Sequence, residues 1–88
     1  MEFEWDESKR ITTIQKHGLD FRDVRLLFEE PHVIVEARHP AERRQIAIGK
    51  IGPKFVAVVF TMRAGAIRII TARGARTDER RAYRAVHN

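Results

Sequence analysis

Six arginines crowd into the 17 residues from Arg68 to Arg84: Arg68, Arg73, Arg76, Arg80, Arg81 and Arg84. Each guanidinium is a planar fork of donors that suits a phosphate group. On a helix, Arg76, Arg80 and Arg84 stand four residues apart and share a face, and Tyr83 lies beside Arg80. Such a face can hold RNA phosphates while Tyr83 stacks on a base. The same pattern also fits a solvated, arginine-rich helix with Tyr83 turned into the core. Arg68 interrupts the apolar run from Ala66 to Ile70, so its charge must meet solvent or an anion. Arg73 ends that strand. By a period of two, Arg68 and Arg73 face opposite sides of an unbroken strand. They reach one site only through a bulge, or if the strand stops before Arg73. The pair Lys16-His17 is the second candidate. A histidine at a helix end is a proton-transfer group suited to neutral pH. Its structural alternative is a cap on the free carbonyls.

Standard catalytic signatures are absent. The sequence has no Gly-rich phosphate loop, no His-Glu-x-x-His and no nucleophile elbow. His17, His32, His39 and His87 fall on separate elements, so no metal site and no cofactor are expected. With no cysteine, a thiol nucleophile, a disulfide scaffold and a Cys-ligated zinc site are excluded.

The elements that must position these groups follow from periodicity. Phe3–Trp5 reads as a short strand, with Trp5 in the core. Asp6 caps a helix running to about His17, with Ile11 and Ile14 as its apolar stripe and Gly18 as its stop. Asp20 caps a second helix. Asp23 stands three residues on, as in a capping box, and Leu19 and Val24 fit a hydrophobic staple. Phe21, Val24, Leu27 and Phe28 follow at helical spacing until Pro31. The period then changes to two. Strands are expected at Val33–Ala37, Gln45–Ile51, Phe55–Phe60 and Ala66–Arg73, with a turn at Met62–Gly65. The run from Phe55 to Phe60 is apolar throughout, as in a strand covered on both faces. Thr77 caps a last helix with Asp78 and Glu79 in its first turn. The order β-α-α-β-β-β-β-α with short connections implies an α+β fold, a twisted, mostly antiparallel sheet packed with helices.

Composition narrows the class. The chain has 88 residues, 43% hydrophobic and 33% charged, which fits one small domain over residues 1–88 with a thin core. It carries 17 Lys+Arg against 12 Asp+Glu, a net charge of +5. The excess is uneven: residues 1–42 balance at −4 and residues 43–88 at +9. A basic C-terminal half suggests a nucleic-acid surface, or a face for an acidic protein partner. No apolar run nears the roughly 18 residues of a membrane span. The acidic start, Met1 to Asp6, is unlike a signal peptide, so a cytoplasmic protein is expected.

Two segments resemble a known family. Phe3-Glu4-Trp5-Asp6 with Lys9, then Lys16-His17-Gly18-Leu19 and Phe21, resembles the opening of the BrnT family. Ile67-Arg68-Ile69-Ile70-Thr71-Ala72-Arg73, then Glu79-Arg80 and Tyr83, resembles its close. Thr13 stands where the family often has Asn, Leu19 where Val is commoner, Thr71 where Ser is commoner, and Arg84 where an acid is frequent. The resemblance implies a RelE-like fold and a ribonuclease toxin of a type II toxin–antitoxin pair. It implies cleavage of RNA, on or off the ribosome, without a known metal requirement, and arrest of translation. It also implies a BrnA-like antitoxin partner, with DNA association only through that complex.

Metal-free RNA cleavage uses the substrate's 2′-hydroxyl. It needs a base, cations at the phosphate and an acid for the leaving oxygen. Arg68 and Arg73 are therefore expected at the scissile phosphate, and Arg76, Arg80 and Arg84 on flanking phosphates. His17 is the expected acid or base, with Lys16 beside it and Glu79 as the alternative base. Tyr83 would stack or donate a proton. A non-catalytic nucleic-acid binder, or a module for an acidic partner, would use the same basic face without cutting.

Overall fold

The computed structural model describes residues 1–87. Its elements are β1 (Phe3–Trp5), α1 (Glu7–His17), α2 (Phe21–Val24), a 3₁₀ segment (Arg25–Glu29), β2 (His32–Ala37), β3 (Arg44–Ile51), β4 (Lys54–Arg63), β5 (Ala66–Gly74) and α3 (Thr77–Val86). The expected order is therefore observed. The five strands form one sheet in the order β1-β5-β4-β3-β2. Strands β2 to β5 are an antiparallel meander, and β1 adds in parallel at the edge of β5. Among the described residues no helix is long and apolar enough to cross a membrane.

Local chemistry sets the helix ends. The Asp6 carboxylate accepts from the Ser8 and Lys9 N–H groups at 2.8 and 3.2 Å, satisfying donors that the first turn leaves free. Gly18 ends α1 at φ +67°, a left-handed conformation that costs glycine little, and its N–H returns to the Ile14 carbonyl. The expected apolar stripe is displaced. Ile11 is exposed, Ile14 is half-buried, and Thr13 is the buried residue of α1. A short side chain at position 13 lets the helix lie close alongside β5.

The second helix changes type midway. Asp20 accepts from the Arg22 N–H at 2.9 Å as a cap, but α-geometry stops at Val24 and a 3₁₀ turn follows. Val24 and Leu27, both buried, are three residues apart, the repeat of the tighter helix. Leu27 then lies directly over Gly49 of β3. Two further boundaries move. The β4–β5 turn is two residues, Ala64 and Gly65, both at positive φ, so the strand continues through Met62 to Arg63. Such a turn matches the twist of the paired strands. The N-cap of α3 is Arg76 instead of Thr77. The Glu79 carboxylate reaches back to accept the Arg76 N–H at 2.8 Å, so the helix begins one residue earlier than expected, at Thr77.

The sheet is covered on both faces, as the apolar β4 run implied. On one face Phe21, Val24 and Leu27 pack on Val58, Phe60, Ile69 and Ala72, flanked by Phe3, Trp5 and Phe28. Trp5 meets the Phe21 ring edge-on at 6.0 Å. On the other face Tyr83 of α3 packs on Ile48 and Ala57 with Phe55 beside them.

The register carries one irregularity that matters for the site. Val59 pairs with Thr71, but Phe60 pairs with Ile69, so Ile70 bulges from β5. A bulge inserts one residue and shifts the alternation. Arg68 pairs with Thr61 and Arg73 with Ala57, four residues apart on β4. Arg68 and Arg73 therefore face the same side of the sheet, the side that α3 covers.

Candidate active site

A cleft of about 330 Å³ opens where β4 begins and β5 ends. Its lining comes from three separate places in the chain. His17 and Leu19 flank the end of α1, Lys54, Phe55 and Val56 open β4, and Gly74, Ala75 and Arg80 follow β5. His17 is exposed there because the left-handed Gly18 turns the chain away after it. Arg80 is aimed by its neighbours: Nη1 donates to the Ala75 carbonyl at 2.9 Å and Nη2 to the Thr77 hydroxyl at 3.3 Å. A histidine and two cations thus border one open space.

The Gly74–Arg76 turn, whose Ala75 carbonyl holds Arg80, is clamped by Arg73 and Glu79. Arg73 Nη1 donates to Glu79 Oε1 at 2.7 Å and Nη2 to Oε2 at 2.9 Å, a bidentate pair. The same Oε1 accepts the Arg76 N–H. The Arg73 guanidinium, then the Arg76 N–H, hold the Glu79 carboxyl below its ordinary range, against the opposing effect of burial. The pair in turn raises Arg73. Glu79 is a buried, fully engaged carboxylate, which is a poor proton acceptor. Arg73 spends its two terminal nitrogens on it.

Tyr83 sits in the core. Its ring meets Phe55 edge-on at 5.4 Å and His87 at 5.2 Å, and only 9% of the residue is exposed. Stacking on a base requires a free ring face, which Tyr83 does not present. Arg76 and Arg84 are exposed at the start and outer surface of α3, and Lys16 is exposed beside His17.

Arg68 stands apart from the cleft. The β4 partners of Arg68 and Gly74, Thr61 and Val56, stand five residues apart, about 17 Å of extended strand. Arg68 pairs with Glu4 at 3.2 Å. A smaller cavity of about 180 Å³ there brings Lys9, Arg44 and Arg68 together with Asp6 and Glu42. Arg44 pairs with Glu42 at 2.8 Å, so carboxylates already answer the two arginines. A wide depression of about 600 Å³ is lined by Ala37–Arg43 alone, one loop with no groups converging from elsewhere.

The structure thus brings His17 and Arg80 together, fixes Arg73 and Glu79 behind them, and leaves Arg68 at a distance. Sequence reasoning missed Lys54. Gly52-Pro53, which breaks the chain between two strand-like segments, was the signal for it, since the tight turn there places Lys54 at the head of β4 beside the end of β5.

Comparison with known proteins adds an independent line. A family described as "Ribonuclease toxin, BrnT, of type II toxin-antitoxin system" matches residues 5–79. The crystal structure of the Brucella abortus ribonuclease toxin, BrnT, superposes with a TM-score of 0.71 at 34% identity, covering 88% of this chain and 99% of that one. No curated protein sequence matches.

Proposed function

The chain belongs to the BrnT family of ribonuclease toxins of type II toxin–antitoxin systems, and from that premise we propose that it cuts RNA in the cleft between α1 and α3. The observation that carries this reading is the convergence of His17, Lys54 and Arg80 on one space. His17 takes the proton from the substrate's 2′-hydroxyl. The 2′-oxygen attacks the adjacent phosphorus, and the bond to the 5′-oxygen breaks. Lys54 and Arg80 hold the non-bridging oxygens as charge builds on them, the largest contribution in reactions of this type. The cleft is open, so solvent protonates the leaving 5′-oxygen. The products are a 2′,3′-cyclic phosphate and a 5′-hydroxyl. Charge stabilisation comes from side chains, so the step proceeds without a divalent metal. Arg73 and Glu79 act behind the site by fixing the Gly74–Arg76 turn, whose Ala75 carbonyl aims Arg80.

The type II family implies an antitoxin protein partner and an RNA substrate. The partner in this reading is BrnA-like and covers the basic face, any DNA association runs through that complex, and cutting arrests translation in the cytoplasm. The test is cleavage of labelled RNA by partner-free protein in excess EDTA, with His17→Ala beside it and the new ends identified. Cyclic-phosphate ends that vanish in the variant support the mechanism. A variant that cuts at the parental rate removes His17 from it. If the parent cuts only RNA on translating ribosomes, the substrate is ribosome-bound mRNA.

A further inference from the structure

Six arginines of this protein have carboxylate partners, and among the cations that do not, one group is gathered around the cleft. Arg10, Arg22, Arg43, Arg44, Arg68 and Arg73 each have a carboxylate partner. Lys50, Lys54, Arg76, Arg80, Arg81 and Arg84 have none among the described residues. Two of these lie over a single ring. The Lys50 ammonium lies 5.4 Å and the Arg84 guanidinium 5.1 Å from the centroid of Phe55, and Lys54 precedes that residue. Phe55 itself lines the cleft described above.

Cations gathered without an acid repel one another, and an anion arriving among them relieves that repulsion. The contacts that now hold them are weak, about 0.5–1 kcal/mol for an exposed cation over a ring. Phosphate replaces such contacts easily. Once Lys50 and Arg84 swing onto phosphates, the half-buried Phe55 ring has a face to offer a base. Cations alternating with an aromatic is the pattern of single-strand binding.

We propose that Lys50, Phe55 and Arg84 form a second subsite, continuous with the cleft, that holds the nucleotides of a single-stranded RNA next to the phosphate being cut. The inference rests on the reading of the cleft as the RNA site. It commits to RNA over an acidic protein because an aromatic platform between cations serves a base and does little for a carboxylate.

The test measures binding, so it is separate from catalysis. A fluorescent 12-nucleotide RNA carrying 2′-O-methyl groups cannot be cut through its 2′-oxygens. Its affinity is measured against salt for the full chain, for Lys50→Ala/Arg84→Ala, for Phe55→Leu and for Arg25→Ala as an exposed cation elsewhere. Each lost phosphate contact on a single strand removes about 0.7 from the slope of log affinity against log salt. The double variant should lose about 1.4, or roughly 25-fold in affinity at 0.1 M salt. Phe55→Leu should weaken binding with the slope unchanged, and Arg25→Ala should leave both unchanged. Melting curves confirm that each variant is folded. A double variant with the parental slope and affinity overturns the subsite, and so does a Phe55→Leu protein that binds as the parent does. A parent that does not bind this RNA at all also overturns it, and points to an acidic protein on this face. Cleavage of unmodified RNA by the same parent is scored separately, so the catalytic reading can fail while the subsite stands.

Discussion

His17 and Arg73 show how differently two candidate residues of one site behave. His17 is exposed at a helix end, and its ring has no hydrogen-bond or ion-pair partner among the described residues. Replacing it with Ala should lower the cleavage rate about 10²–10⁴-fold, the usual share of acid–base help, while the melting temperature stays put. A parallel loss of melting temperature would assign it to stability instead. Arg73 is the opposite case. Arg73→Ala strands a carboxylate whose side chain is only 8% exposed, with one backbone N–H left to answer it. Breaking such a pair from one side should cost about 2–4 kcal/mol, somewhat below fully buried pairs because Arg73 keeps some solvent. Urea denaturation reads this directly. Removing both charges in Arg73→Ala/Glu79→Ala should cost less than the two single changes together, since neither partner is then left alone. Additive losses would show that the pair is not coupled. The sequence announced the chemistry of these residues but not their employment. A row of arginines says that phosphate is welcome; it does not say which guanidinium a buried glutamate has already taken. Tyr83 was ambiguous for the same reason, because position beside Arg80 on a helix leaves open which side of that helix meets the sheet.

At the scale of elements, periodicity carried the most information. The order of strands and helices, the caps at Asp6 and Asp20 and the two-sided burial of β4 all follow from local patterns in the chain. What escaped are the places where one element yields to another. Alternation along β5 separates Arg68 from Arg73, and the bulge at Ile70 returns them to one face. Nothing in an apolar run marks which residue bulges. The 3₁₀ segment is similar, since it is set by contact with β3 and not by its own composition. Gly49 records that contact. A Cβ there would meet Leu27 Cγ at 2.9 Å and the Pro31 carbonyl oxygen at 3.2 Å. Gly49→Ala should therefore destabilise the fold by about 1–3 kcal/mol, the cost of overpacking, since backbone at Pro31 cannot step aside. A variant as stable in urea as the parent would mean that the 3₁₀ segment moves freely on the sheet. Because His17 is far along the chain from this contact and lies outside it, cleavage by the folded fraction should be unchanged.

Over the whole molecule, the charge asymmetry becomes a division of labour. In the acidic half, carboxylates cap helices and hold arginines, so charge there maintains the fold. In the basic half, a pole is left uncompensated, so charge there awaits a ligand. The two parts should answer differently to pH. Asp20 caps α2 and receives Arg22 and Arg10, and its carboxyl is lowered from 3.8 to about 2, chiefly by the Arg22 side chain and backbone. Asp6, Glu7, Glu36, Glu42 and Glu79 are also lowered, by hydrogen bonds from their partners. A carboxylate that is more acidic in the folded chain than in the unfolded one stabilises the fold at pH values above the unfolded value. That stability is lost as the pH falls through the folded value. For Asp20 the window runs from 3.8 down to about 2. The melting temperature should therefore hold steady from neutral pH to about 5 and then decline through this window. Asp20→Asn should melt lower than the parent at pH 7, and the gap should narrow as the parental Asp20 takes up its proton. A gap of constant size from pH 7 to pH 2 would mean that the charge of Asp20 does no work, and that its cap acts through the side-chain oxygen alone, which Asn retains.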